Sequence, residues 1–304
     1  MTLFPALLYK ILPLYVTIAM GFLSGKYLKI NRETIATLMF YVITPVVIFT
    51  GVMHTKLDLN ILLLPVITFL ISTSLCFLFY YFSGFIWNDP LRNLAAFSAG
   101  TANTGYFGLP IAILLFSNQG EGIYIMALLG MTLYENSVGY YTLARGSYSV
   151  ADCLKKLAKL PTLYAFLVAL VLNSLQVPML HFLSDFVQYF KGAYTVLGML
   201  IIGLGVANLS RFSLDFKFIG VTFLARFVAW PLAIAGVISL DCFVFGFFDI
   251  QIYRALMLVA IVPLAANMVV LASLFNNHPE KAATAVLLST LFALIFVPLM
   301  ANWI

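Results

Sequence analysis

Residues 100–110, Gly-Thr-Ala-Asn-Thr-Gly-Tyr-Phe-Gly-Leu-Pro, interrupt an apolar stretch otherwise long enough to cross a bilayer, and Ile-Val-Pro-Leu-Ala-Ala-Asn at 261–267 interrupts a second. Pro110 has no N–H to offer the carbonyl of Tyr106, and Pro263 none for that of Val259, so each helix carries a freed acceptor at membrane depth. Hydrocarbon cannot satisfy it. Such breaks persist where a neighbouring helix, a polar side chain or a water-filled cavity supplies a partner, and discontinuous helices in the two halves of a chain mark the substrate site of many secondary transporters. The pair of breaks therefore points to a transporter.

The rest of the chain is membrane material. It is 63% hydrophobic and only 9% charged, against roughly 25% charged in soluble domains. A span needs about 20 apolar residues. Ten such stretches are read near 10–28, 34–53, 60–82, 92–116, 122–144, 160–177, 193–208, 216–240, 253–275 and 280–301. The first runs past the length of a signal-peptide core into Gly21, Gly25 and Lys26 without a small-x-small cleavage site, so it counts as a span. The connections leave no room for a soluble domain, which places the function inside the membrane. A membrane hydrolase would need paired aspartates within spans or a His-Glu-x-x-His set, and neither occurs; His54, His181 and His278 fall in loops. The expectation is a protein that is not an enzyme and has no cofactor or metal. Cys76, Cys153 and Cys242 form neither a metal spacing nor an even disulfide set. The net charge of +5 sits mostly in loops, where it sets orientation rather than binding nucleic acid.

Eleven Lys and Arg, among them Lys26, Arg32, Arg92, Arg145, Lys155 and Lys281, fall on one side of these spans, against four on the other, Lys10, Lys56, Lys191 and Arg254. The basic side is read as cytoplasmic, which puts the 145–159 connection inside and both termini outside a cell or plasma membrane. Cys242 would then be external and Cys153 cytoplasmic. Residues 1–149 and 160–304 each hold five spans around the cytoplasmic connection 150–159, and an odd number per half makes the second half insert inverted relative to the first. A weak repeat agrees: Leu115-Phe116-x-Asn118-x-x-Glu121 and Leu274-Phe275-x-Asn277-x-x-Glu280 each precede the last span of their half. The stretch 178–191 alternates Phe182, Phe186, Val187 and Phe190 with Ser184, Asp185, Gln188 and Lys191, and reads as a separate amphipathic interfacial helix.

The breaks also suggest a ligand. A half-helix starting near Gly108 to Pro110 would aim free N–H groups at the membrane centre, a setting that favours a carboxylate. Asn103 and Thr104, with Gly105 beside them, and Asn267 beyond Pro263 can hydrogen-bond both the freed backbone and a ligand; the alternative is that these amides serve the backbone alone. Glu135 is the mid-span carboxylate and the candidate proton carrier, with packing against Asn136 as its structural alternative. A sodium site would want several oxygen ligands and is less favoured. Arg226 would pair with Glu135 or the substrate anion, or else snorkel to the interface. Gly203, Gly205 and Asn208 read as close helix packing.

Pro13-Leu14-Tyr15-Val16, Val42-x-x-Pro45-x-x-x-Phe49, Asn103-Thr104-x-x-x-Gly108-Leu109-Pro110, Leu197-Gly198-Met199 with Leu204-Gly205, and Pro263 followed by Asn276-x-His278-Pro279 resemble the auxin efflux carrier family. That family includes plant PIN-type carriers and bacterial organic-acid permeases, and the resemblance covers nearly the whole chain. It implies ten helices in two inverted five-helix repeats, similar to sodium/proton antiporters and bile-acid symporters, with spans four and nine crossing at their breaks. Spans one, two, six and seven would form a scaffold that dimerises, and the other six a moving domain. Tyr41, Thr44 and Phe49 would line the scaffold face of a site shared with Asn103, Thr104, Gly105, Pro110, Pro263 and Asn267. Plant carriers join their halves by a long hydrophilic loop and place Gln-Gly where this chain has Leu264-Ala265. Bacterial members that carry malonate or malate are therefore the nearer comparison. The reading is a proton-coupled carrier of a small mono- or dicarboxylate working by alternating access. Its rivals are a sodium-coupled carrier of the bile-acid type and an anion sensor or channel.

Overall fold

The computed structural model describes residues 3–144, 151, 155, 157–179, 181–207 and 213–300, with backbone alone at 3–8 and 181–185. Cys153, Asn208 and half of the 150–159 connection lie outside the described residues. All regular structure among the described residues is helical. Among the described residues six helices are long and apolar enough to cross a membrane, within the elements α1 (Leu3–Leu28), α2 (Arg32–Met53), α3 (Leu59–Ser83), α9 (His181–Ala207), α10 (Phe216–Phe245) and α13 (Pro279–Met300). Between them run α4 (Leu91–Gly100), α5 (Leu109–Leu115), α6 (Asn118–Asn136), α7 (Val138–Leu143), α8 (Pro161–Ser174), α11 (Ile250–Ile261) and α12 (Asn267–Leu274).

Helix starts follow local chemistry. Asn31 accepts from the N–H groups of Glu33 and Thr34 at 2.7 and 3.1 Å and opens α2. Ser117, Asp215 and Asp249 accept from Gly120, Phe218 and Ile252 and open α6, α10 and α11. Each satisfies donors that a helix start leaves orphaned.

The stretches 92–116 and 253–275 are each split in two. In the first, α4 ends at Gly100, and after Thr101–Asn103 a π-helical turn at Thr104–Gly108 leads into α5, so the gap lies before Pro110, which sits in the first turn of α5. In the second, α11 stops at Ile261 and α12 begins at Asn267. The two repeat motifs fall at matching places: Leu115 and Leu274 end the second half-helices, and Glu121 and Glu280 stand in the first turns of α6 and α13.

The interfacial helix expected over 178–191 is not separate, because α9 starts at His181 and continues unbroken to Ala207. Lys191, expected on the polar face of that helix, is instead buried, and its Nζ donates to Glu121 Oε2 at 2.7 Å and to Asn118 Oδ1 at 3.5 Å. With its charge met inside the protein, the helix has no reason to stop at an interface.

The densest packing pairs α1 with α9, α2 with α8, and α3 with α4 and α6. The α1–α9 contact is backbone to backbone. A Cβ at Gly203 would collide with the Ile18 carbonyl oxygen, and one at Gly21 would collide with that of Leu200. Small residues at such seams let helices approach where lipid gives no hydrophobic drive. Gly203 thus serves close packing, whereas the neighbouring Gly205 faces the Arg32 side chain. Overpacking of this kind destabilises by about 1–3 kcal/mol or more. Gly203→Val is expected to lower the thermal midpoint of the purified protein, and an unchanged midpoint would show that the two helices can separate freely.

Candidate functional site

The two breaks meet. The N–H of Asn103 donates to the Pro263 carbonyl at 2.8 Å, and the Asn103 carbonyl accepts from Gly108 at 2.9 Å, so one gap is pinned to the other. Several of the remaining backbone groups find partners on neighbouring helices. Trp230 Nε1 donates to Ala99 O at 2.8 Å, Tyr134 Oη to Phe97 O at 3.1 Å and Tyr124 Oη to Thr104 O at 3.0 Å. Ser289 Oγ accepts from the N–H of Leu264 at 3.2 Å.

The acceptor freed by Pro263 is met by Arg226. Its Nη2 donates to Val259 O and its Nε to Val262 O at 2.6 Å, while the guanidinium lies over the Trp230 ring at 4.9 Å. The side chain is fully buried rather than snorkelling. It stands in the π-helical segment Ala225–Ala229 of α10. The sequence marks Arg226 as exceptional but does not show that backbone carbonyls are its partners. A buried guanidinium here also gives the crossing a standing positive charge, which favours an anion nearby.

A cavity of about 190 Å³ opens at the crossing, lined by Thr44, Asn103, Thr104, Gly105, Glu135 and Asn267, and also by Phe40, Tyr106, Thr132, Asn136, Thr162 and Tyr194. Of the residues singled out in the sequence, Pro110 is buried at the start of α5, Pro263 contributes its carbonyl to Asn103, Phe49 packs on the main core and Tyr41 is 61% exposed. Phe40, one residue before Tyr41 in the π-helical segment Met39–Ile43, lines the cavity instead. The wider π-helical turn changes which face is presented, and regular helical periodicity gives no sign of it. Tyr194 and Thr162 come from helices distant in sequence and had no signal of their own.

Two side chains set the chemistry. Asn103 is 4% exposed, and its Nδ2 is buried without a hydrogen-bond partner. An unmet buried donor costs about 1–3 kcal/mol and is a standing invitation to an acceptor. Glu135 accepts from Thr101 Oγ1 through one oxygen and from Asn267 Nδ2 at 3.3 Å through the other. It thereby touches both breaks. The arrangement can offer an amide donor to an oxyanion beside a carboxyl group whose charge would oppose that oxyanion.

Arg226 is expected to act on folding rather than on ligand contact. Arg226→Gln removes charge-assisted bonds worth on the order of 1.5–3 kcal/mol each, so the thermal midpoint should fall sharply. A variant as stable as the parent but unable to bind anions would assign Arg226 to the ligand instead.

The sequence profile of the membrane transport protein family matches residues 6–144 and 148–301. An uncharacterized transporter of Methanothermobacter thermautotrophicus is 24% identical over 308 residues, covering 95% of each chain. An uncharacterized transporter of Methanocaldococcus jannaschii is 25% identical over 302 residues, covering 95% of this chain and 94% of its own. With apolar helices, paired breaks and a family match along almost its entire length, the chain is a multi-pass membrane protein that belongs to the membrane transport protein family, the auxin efflux carrier family whose motifs its sequence carries.

Proposed function

We propose that this protein is a secondary active transporter of a small organic anion, a mono- or dicarboxylate such as malonate or malate, that works by alternating access at the plasma membrane and couples to protons through Glu135. The observation that carries this reading is the buried, unpartnered Asn103 Nδ2 facing a cavity shared with Glu135. A cavity of about 190 Å³ suits a few-carbon acid. An anion entering beside Glu135 meets like charge unless that carboxyl is protonated, so the site favours proton and anion together. Arg226 supplies background positive potential without occupying the cavity.

The architecture proposed with it is ten spans in two inverted five-helix repeats, with α4–α5 and α11–α12 as the broken fourth and ninth spans. The matching positions of the repeat motifs and the mutual hydrogen bond of the breaks support this. The end that carries Lys29, Arg92 and Lys281 is cytoplasmic and the termini are outside. Helices α1, α2, α8 and α9 form the scaffold, the surface for a homodimer, and the remaining helices form the moving domain.

Uptake of labelled malonate and malate into proteoliposomes tests the reading. Asn103→Ala should weaken the apparent affinity for the transported acid about ten- to a hundredfold, the value of one hydrogen bond to a charged group. Glu135→Gln should still exchange labelled for unlabelled substrate but fail to accumulate it against a pH gradient. Unchanged affinity in Asn103→Ala would put the site elsewhere; gradient-driven accumulation by Glu135→Gln would remove Glu135 from coupling.

A further inference from the structure

A larger cavity, about 600 Å³, lies between the scaffold and the moving domain at the end proposed as cytoplasmic. Its scaffold wall comes from the turn between α1 and α2 and from α9, and its other wall from α12 and α13. Ala266, in the second break, lines both this vestibule and the crossing cavity. The vestibule is therefore the cytoplasmic approach to the crossing.

Its charged lining residues are Lys29, Arg32 and Glu33, a net positive wall. Arg32 makes no hydrogen bond or ion pair with any described residue, and its Nε is buried without a partner. Space for the side chain comes from Gly205, where a Cβ would come within 3.4 Å of that Nε. Glu33, its exposed sequence neighbour in the first turn of α2, is within electrostatic reach of Arg32 without a hydrogen bond to it, and its charge is also favoured by the helix terminus. Tyr106, in the first broken helix, is within electrostatic reach of the guanidinium. An arginine fork normally receives a bidentate oxyanion, and carboxylate fits its geometry. Lys29 stands on the same wall with φ of 53°, a left-handed conformation that Lys rarely adopts.

We propose that Arg32, assisted by Lys29, forms a carboxylate-binding site in the vestibule, distinct from the crossing, at which an organic acid docks on its way between cytoplasm and Asn103. The inference rests on the organic-anion reading above. The vestibule site and the crossing are occupied independently, so loss of one leaves the other able to bind.

Ser273 is an exposed residue of the vestibule wall and serves as the reporter position. In detergent-purified full chain with Cys153 and Cys242 replaced by Ser, leaving the buried Cys76, the thiol introduced by Ser273→Cys is labelled with a maleimide in the presence and absence of malonate. At malonate about ten times its dissociation constant, labelling should slow on the order of tenfold, following the unoccupied fraction. That protection should persist when Asn103→Ala is added and vanish when Arg32→Gln is added. Arg32→Met, which keeps the stem against Gly205, replaces Arg32→Gln if the latter is not monodisperse. Protection that survives loss of Arg32, disappears with Asn103→Ala, or is matched by inorganic phosphate would overturn the vestibule carboxylate site while leaving transport at the crossing intact. If malonate and malate neither protect the reporter thiol nor enter proteoliposomes through the parent protein, the organic-anion reading itself fails.

Discussion

The whole arrangement depends on satisfying broken backbone in a place without water. Two helices stop at membrane depth, and the bond from the Asn103 N–H to the Pro263 carbonyl makes each gap part of the other's solution. Around that bond, Trp230, Tyr134 and Tyr124 donate to the carbonyls of Ala99, Phe97 and Thr104, and Arg226 donates to those of Val259 and Val262. Each unmet group in hydrocarbon would cost several kcal/mol. The backbone at the crossing is thus held rigidly while the Asn103 amide is left over. That is the division of labour expected of a preorganised site: fixed surroundings and spare donors, the Asn103 amide at the cavity and Arg226 Nη1 behind it.

The two ends of the molecule are unlike. At the end carrying the basic residues, the scaffold and the second helical group are separated by the vestibule. At the opposite end they are in close contact. Gly122 sits so close to α2 that a Cβ there would collide with Thr55 Oγ1 and the Gly51 carbonyl oxygen, and the buried Lys191–Glu121 pair ties α9 to α6. A carrier working by alternating access must exchange these two conditions, and a buried ion pair is a contact that resists partial separation. The contacts that close this end lie well away from the crossing.

Much of this was legible in the chain. The breaks at 100–110 and 261–267, the apolar spans, and the motifs around Asn103, Pro110 and Pro263 are local features, and local features are readable from residue order. The partners are not. Arg226 and Val262 are far apart in sequence, as are Lys191 and Glu121, and only tertiary packing joins them. Lys191 misled because a charge beside Ser184, Asp185 and Gln188 looks like part of a solvated helix face until its buried partner is seen. Tyr41 and Phe40 exchange places because a π-helical segment shifts the facing side, and Gly205 resembled a packing glycine although its space is taken by Arg32.

The central claim is that the acid binds at the crossing through Asn103. An experimentally determined structure of the protein with excess malonate tests it most directly. The account predicts a carboxylate oxygen within hydrogen-bonding distance of Asn103 Nδ2, in the cavity bounded by Thr44, Glu135 and Asn267. Malonate ordered elsewhere, with that amide still unpartnered, would contradict it.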